Sequence, residues 1–363
     1  MASNTKYYDN LTVSSSPHLV TSLDTTKTML YVVAALCPAA IMSAVYFGIP
    51  AIIMIAVCIA SSMFFEWGYE KLLNRPNTVR DGSAMVTGLI LALNLPANLT
   101  HLDGIEYPIF MPILICIIGS FVAIVVVKQL FGGMGRNFAN PAIVGRITLF
   151  LSFTSYMSTW PLTRFQKAGV DAVTGATPLG FLADGSLEGA PSLKDMFFGN
   201  IGGAMGETCV IAILIGAIIL IARKIISPII PVSFVATVFI FSLVYYGISG
   251  SAPEGMSALY MACFHVCAGG VMFGAVFCAT DYVTSPIMPL GKLIFGIGCG
   301  LVTMIIRLFC SYPEGVSFAI LFMNIMTPLI NNFAEDRFYG ISKRRKEAAK
   351  KAAEAAAAET KKA

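Results

Sequence analysis

Apolar runs near residues 29–48, 50–66, 84–96, 108–131, 141–156, 205–222, 229–247, 257–279, 287–310 and 315–332 alternate with polar breaks along the chain. A helix needs about 17 to 25 largely apolar residues to cross the hydrocarbon core of a bilayer. The runs therefore predict an all-α polytopic membrane protein of about ten transmembrane helices. Composition agrees, with 12% charged residues against roughly 25% in soluble domains. The N-terminal stretch MASNTKYYDNLTVSSSPHLV is polar, and Lys6 and Lys27 stand with Asp9 and Asp24 ahead of the first run. It lacks the basic start and short apolar core of a cleaved signal, so the first run is expected to be retained.

Basic residues favour the cytoplasmic ends of spans. Lys71, Arg75 and Arg80 follow the second run, Lys128 and Arg136 the fourth, Arg223 and Lys224 the sixth, Lys292 the eighth, and KRRKEAAKK the last. These fall on one side, whereas loops 97–107 and 248–256 hold no Lys or Arg. Both termini are expected to be cytoplasmic, and the long loop 157–204 to lie on the outer face. The organisation reads as a cytoplasmic N-terminal segment (1–28), a first five-helix repeat (29–156), an outer loop (157–204), a second five-helix repeat (205–332) and a basic, Ala-rich cytoplasmic tail (333–363). The tail suits an anionic inner leaflet rather than nucleic acid. The nine cysteines fall nearly all inside the runs, which implies no disulfide framework.

Five spans on each side of the outer loop would place the second half upside down relative to the first, the inverted-repeat layout of transporter-like folds. The third run is short and ends at Pro96, and the eighth is broken by Gly269, Gly270 and Gly274 ahead of Asp281 and Pro286. Interrupted segments at matching positions point to a site near the midplane. Close helix packing through small residues is the other reading of those glycines. Carboxylates in or beside the spans are the ion-coupling candidates, because intramembrane charge is costly: Glu66, Asp81, Glu207 and Asp281. Asp81, followed by Gly82 and Ser83, has the alternative of a helix N-cap.

Two further clusters carry weaker signals. Leu130 to Ala142, LFGGMGRNFANPA, lacks the preceding strand and the Gly-Lys-Ser/Thr ending of a P-loop. Its Asn137 and Asn140 could hold a flavin or quinone ring edge, or cap a helix starting at Pro141. Cys263 and Cys267 flank His265, too few ligands for a zinc or iron–sulfur site, so packing is the reading for these cysteines. Neither a metal site nor a catalytic acid–base pair or nucleophilic triad is expected.

The outer loop contains DAVTGATPLG, Asp171 to Gly180. Gly175 and Ala176 are small enough for a bulky phosphate-bearing group to approach the Thr177 hydroxyl, and Pro178 stiffens the backbone. Taken alone, such a string also reads as a plain turn.

The motif is one of several in order: SSSPHL (14–19), RDGSAMVTGLILALNLP (80–96), LFGGMGRNFANPAIVG (130–145), TGATPL (174–179), CATDYVTSP (278–286) and YPEGVSFAILFMNIMTPLI (312–330). Together they resemble the NqrB/RnfD family, the RnfD components of the Rnf electron-transport complex and, more distantly, the NqrB component of the sodium-pumping NADH:quinone reductase. The resemblance covers nearly the whole chain. It implies FMN on Thr177 through a phosphoester bond, attached by a separate flavin transferase that reads the segment holding Asp171, Thr174, Gly175 and Ala176. It further implies a multi-pass subunit in a prokaryotic cytoplasmic membrane, among the other Rnf subunits and membrane lipid, in a complex that passes electrons between ferredoxin and NAD and moves Na⁺ or H⁺. The related reductase component holds riboflavin, for which Asn137 and Asn140 are the place to look. Relatives often carry an acid after PLI where this chain has Asn331, so a carboxylate role does not carry over there. A secondary transporter or channel for a small solute would share the five-plus-five layout and is the alternative; a scaffold with a silent flavin site is a third.

Overall fold

The structure, a computed structural model, describes residues 24–98, 101–102, 105–106, 110–167, 174–183, 189–250, 253, 256–310, 312 and 314–338. Nearly all of the ordered elements are helices. The first is α1 (Thr25–Phe47), capped by the Asp24 carboxylate accepting from the Thr25 amide at 2.7 Å. Gly48, at φ +75°, ends α1 and turns the chain directly into α2 (Ile49–Leu72). A 3₁₀ turn (Val79–Asp81) leads to α3 (Ser83–Leu93). A two-residue ladder, β1 (His101–Leu102) with β2 (Ile105–Glu106), precedes α4 (Phe110–Phe121), which runs on as a π-helix over Val122–Gln129. The half closes with α5 (Pro141–Ser152), which has Asn140 as its N-cap and Pro141 in its first turn.

The intervening loop contains α6 (Thr154–Ser158), β3 (Trp160–Pro161), α7 (Arg164–Lys167), β4 (Thr174–Gly175), α8 (Pro178–Ala183) and α9 (Leu193–Phe198). Then come α10 (Val210–Ala222), α11 (Ile229–Ser249), α12 (Ala258–Cys267) and α13 (Val271–Phe273), continued by a second π-helix (Gly274–Cys278). The last two helices are α14 (Pro289–Phe309) and α15 (Val316–Phe338). The N-terminal residues through 23, and those beyond 338, lie outside the described residues, so of the segments expected at 1–28 and 333–363 only the parts at 24–28 and 333–338 are described.

All ten predicted runs coincide with helical segments, but they are not equivalent. Among the described residues, six helices are long and apolar enough to cross a membrane, and α12 with Val271–Cys278 makes a seventh if that pair, bent by 60°, is one span. The others, α3, α5 and α10, have 11, 12 and 13 residues. At about 1.5 Å per residue they fall well short of a core about 30 Å thick. The sixth run was expected to begin at 205, whereas α10 begins at Val210. Residues 201–209 are instead irregular chain buried in protein, a setting in which non-helical backbone is tolerated at membrane depth.

Packing follows the same order in the two halves. In the first, α2 packs on α3 and α4, and the end of α4 on α5; in the second, α11 packs on α12 and α14, and α14 on α15. The halves meet along α1 against α10 and α5 against α15. At the first of these seams a Cβ on Gly216 would stand 2.3 Å from the Ala35 carbonyl oxygen. Such backbone approach is how small residues associate helices where lipid is as apolar as the side chains.

Candidate functional site

The loop between the halves is fixed to the end of the bundle where α1 turns into α2. Tyr46, in the last turn of α1, donates its hydroxyl to the Phe198 carbonyl at 2.7 Å and packs edge-on against Phe165. Within the loop, β3 and β4 pair antiparallel, with Trp160 opposite Gly175 and Pro161 opposite Thr174. A Cβ on Gly175 would lie 2.6 Å from Leu162 Cδ2. The glycine therefore admits Leu162, where the sequence suggested that it admits a ligand. Ala176 is exposed, but Thr177 is only 7% exposed. The Thr177 hydroxyl oxygen accepts from the Gly180 amide at 3.1 Å, capping the first turn of α8. Leu179 then buries itself with Met196, Ile201, Phe264 and Ala268, so the loop sits on α12. Asp171 lies outside the described residues.

Beneath the loop, three irregular stretches of chain converge. The Gly206 amide donates to the Leu93 carbonyl at 2.7 Å and the Met205 amide to Leu95 at 3.1 Å, so segment 204–207 completes the broken end of α3. At the bend after α12, a Cβ on Gly270 would lie 2.5 Å from Glu207 Oε1. Arg146 of α5 reaches this junction. Its Nη1 donates to Glu207 Oε1 at 2.7 Å and to Asn94 Oδ1 at 2.8 Å, and its Nη2 to Glu314 Oε2 at 2.6 Å. Arg307 donates to the carbonyls of His265 (2.6 Å) and Ala268 (2.9 Å), satisfying the last turn of α12. Sequence reasoning found Glu207 but missed Arg146 and Glu314. A signal was available: Arg146 is the only charged residue in the run 141–156, and a buried charge demands partners.

A second polar centre lies at the opposite end. Glu66 is wholly buried, and its Oε1 accepts from Lys128 Nζ at 2.7 Å and Gln129 Nε2 at 3.0 Å. Lys128 also donates to Ser83 Oγ at 2.7 Å. The Thr78 hydroxyl donates to Glu70 Oε1 and is within 3.2 Å of Glu66 Oε1. Asp81 is half-buried in the 3₁₀ turn, and Gly82, not Asp81, is the N-cap of α3.

Next to this centre is a cavity of about 440 Å³, lined by Lys128, Asn137, Asn140, Thr280, Asp281 and Phe277 among others. Its size falls in the range of small-molecule sites, about 300 to 1,000 Å³. Both π-helices border it, a feature frequent at functional sites. Asn140 is largely committed: its Oδ1 accepts from the Ala142 and Ile143 amides, and its Nδ2 donates to the Cys278 carbonyl at 3.0 Å. Asn137 donates to the Ala139 carbonyl at 3.2 Å, and no partner of its Oδ1 is described. Asp281 accepts from the Thr284 hydroxyl at 3.0 Å. Burial pushes its carboxyl up, against the opposing effect of hydrogen bonds from Thr284 and the Val283 and Tyr282 amides. Asn331 accepts from the Ile287 amide at 3.2 Å.

The four carboxylate candidates thus divide. Glu66 reaches the cavity through Lys128, Asp281 lines it, Asp81 does neither, and Glu207 belongs to the arginine cluster below the loop. His265 meets Tyr246 OH at 3.1 Å, and all nine cysteines are free thiols. Among the described residues, no group of three or more His, Cys, Asp or Glu could hold a metal ion.

Comparison with known proteins adds the family. A family model described as NQR2, RnfD, RnfE matches residues 12–340. The chain is 44% identical over 344 residues to the D component of the Na⁺-translocating ferredoxin:NAD⁺ oxidoreductase complex of Acetobacterium woodii, covering 93% of this chain and 98% of the relative. It is 39% identical over 340 residues to the D component of the proton-translocating ferredoxin:NAD⁺ oxidoreductase complex of Clostridium ljungdahlii, covering 91% and 96%. To the D component of an ion-translocating oxidoreductase complex of Stutzerimonas stutzeri it is 36% identical over 348 residues, covering 88% and 93%.

Proposed function

The chain belongs to the NQR2, RnfD, RnfE family, and on that premise we propose that it is the RnfD-type membrane component of an ion-translocating ferredoxin:NAD⁺ oxidoreductase complex, relaying electrons through covalent FMN on Thr177. The observation that carries this reading is the 44% identity along nearly the full length of a component so named. It works among the other subunits of the complex and is not a catalyst alone. The membrane is a prokaryotic cytoplasmic membrane, with both termini cytoplasmic and the Thr177 loop outside. The fixing of that loop at the end away from Lys128, Arg136 and Arg223 supports this orientation.

The local geometry of Thr177 fits a phosphoester. The one hydrogen bond described for its hydroxyl is accepted, not donated, so replacing the hydroxyl hydrogen by phosphorus removes no donor. Exposed Ala176 beside it leaves a way out to solvent. Before α8 docks, Asp171, Thr174, Gly175 and Ala176 form the segment that a flavin transferase reads. A flavin supplies one- and two-electron chemistry when bound. This chain's part is to hold it over α12 and the arginine cluster.

The cavity beside Asn137 suits a second flavin, riboflavin. Apolar Ile90, Val276 and Phe277 match a ring face, while Asn137 and Lys128 offer polar contacts to its edge. Asn140 would act by holding α5 to the second π-helix. Glu66, Asp81, Glu207 and Asp281 are the carboxylates through which Na⁺ or H⁺ movement is coupled.

Mass analysis of peptides spanning 168–194 from native membrane tests the central claim. The expected result is one FMN less one water on Thr177, and unmodified peptide would overturn it. Flavin-free protein after co-expression with a flavin transferase would instead favour the secondary-transporter or channel reading, to which the repeated packing order is equally suited.

A further inference from the structure

Glu66 and Glu70 lie one turn apart on α2 and both are buried. The charged groups around Glu66 are Glu70 on its own helix and Lys128 from the first π-helix; α3 contributes the Ser83 hydroxyl and the turn before it the Thr78 hydroxyl. The Thr78 hydroxyl links the two carboxylates, and the Lys128 ammonium is paired with Glu66. Glu66 Oε2 is buried without a partner, and so is Ser62 Oγ one turn earlier on the same helix. An unpaired buried carboxylate oxygen is costly, and a monovalent cation, H⁺ or Na⁺, would satisfy it.

Lys128 is placed to govern that cation. Successive residues of an α-helix point about 100° apart, yet Lys128 and Gln129 both donate to Glu66 Oε1. The wider π-helical turn allows this. The ammonium has three donors on a flexible stem; Glu66 and Ser83 take two, and Lys128 also borders the cavity. Arg146 has no such latitude, being held between Glu207 and Glu314.

We propose that Lys128 is a movable counter-cation shared between the Glu66–Glu70 pair and the occupant of the adjacent cavity, so that negative charge arriving in the cavity draws the ammonium away and Glu66 takes up one H⁺ or Na⁺. The proposal rests on the second-flavin reading. One electron delivered by the ferredoxin:NAD⁺ reaction is balanced by one cation, no bond between heavy atoms forms or breaks, and oxidation returns Lys128 to Glu66 and releases the cation.

The test uses the assembled complex. Flavin released by acid, as opposed to flavin that stays with the protein, is measured first; if none is released, the second-flavin reading fails and takes the proposal with it. Where it is released, its one-electron midpoint potential is titrated against Na⁺ at fixed pH and against pH at fixed Na⁺. Wild type should give a slope of about 59 mV per tenfold change of the coupled cation, and the two arms separate Na⁺ from H⁺. Glu66→Gln, which leaves Lys128 in place at the flavin edge, should keep the flavin and lose the slope; should it not assemble, the two wild-type titrations still decide. A flat wild-type response in both arms, or an unchanged slope in the variant that retains flavin, overturns the proposal while leaving the flavin reading intact.

Discussion

Arg146 Nη1 lies 2.7 Å from Glu207 Oε1, and this buried pair joins the short last helix of the first half to the irregular chain that opens the second. The same guanidinium holds Glu314, 2.6 Å away at the end of the bundle where the Thr177 loop sits. One side chain thus ties both halves to the chain below the loop. Removing it leaves a buried carboxylate alone, which costs about 3 to 5 kcal/mol. Arg146→Met should therefore lower the melting temperature and yield of the complex sharply. Arg146→Met/Glu207→Gln should recover much of the loss. Thermal unfolding in detergent checks both, and equal instability of the single and double variants would count against the ion-pair account.

Thr177 has two separable roles, a cap and an attachment point. Thr177→Ala removes both, and losing a cap costs roughly 1 kcal/mol. Thr177→Ser keeps the accepting oxygen and the cap. The expected outcome is loss of covalent flavin, read by in-gel fluorescence and peptide mass, from the alanine variant with only a small fall in melting temperature. The serine variant should match wild type in stability, and its flavin content reports whether the transferase needs the methyl group. Electron transfer that survives Thr177→Ala in the complex would support the silent-scaffold reading.

How far the sequence revealed these sites depends on what each residue faces. The long helices were legible because lipid demands apolar length. The shortness of α3 and α10 was not, since Leu95 and Ala97 after the first and Ile201, Ala204 and Met205 before the second are buried against protein and extend the hydropathy signal past the helices. The breaks at Pro96 and Gly270 were visible as punctuation, but their meeting at segment 204–207 is long-range and leaves no local trace. Glu66 was visible as a carboxylate in a run, whereas its pairing with Lys128 needed the π-helical turn. Asn140 carried both of its sequence readings, and the structure makes the cap visible through the Ala142 and Ile143 amides.

Asp281 gives a pH prediction. Burial raises its folded carboxyl above the ordinary aspartate value, so the folded state holds its proton more tightly than the unfolded chain. Its contribution to stability is complete below the unfolded pKa, about 4, and is lost as pH rises through the folded value. Asp281→Asn should remove this slope, leaving the variant more stable relative to wild type at pH 7.5 than at pH 4.5. Melting curves at the two values check the sign, and a larger relative gain at pH 4.5 would contradict the burial argument.

Gly270 and Gly247 make a matched pair for asking whether the bend after α12 is shaped around Glu207. A Cβ at Gly270 would meet Glu207 Oε1 at 2.5 Å and Glu207 Cδ at 3.0 Å, whereas at Gly247, within α11, nothing stands within 4 Å. The Glu207 carboxylate cannot step aside freely, because Arg146 holds it and buried chain surrounds it. Gly270→Ala should therefore destabilise by about 1 to 3 kcal/mol through overpacking. Gly247→Ala should be neutral or stabilise by up to about 1 kcal/mol, because alanine favours the helix. If close packing alone explained the glycine at 270, adding Glu207→Gln, which keeps the volume and discards the charge, would leave the cost of Gly270→Ala unchanged. If the bend is shaped to hold a charged carboxylate against Arg146, the two substitutions should couple, with a non-additive term above about 0.5 kcal/mol in the double-mutant cycle.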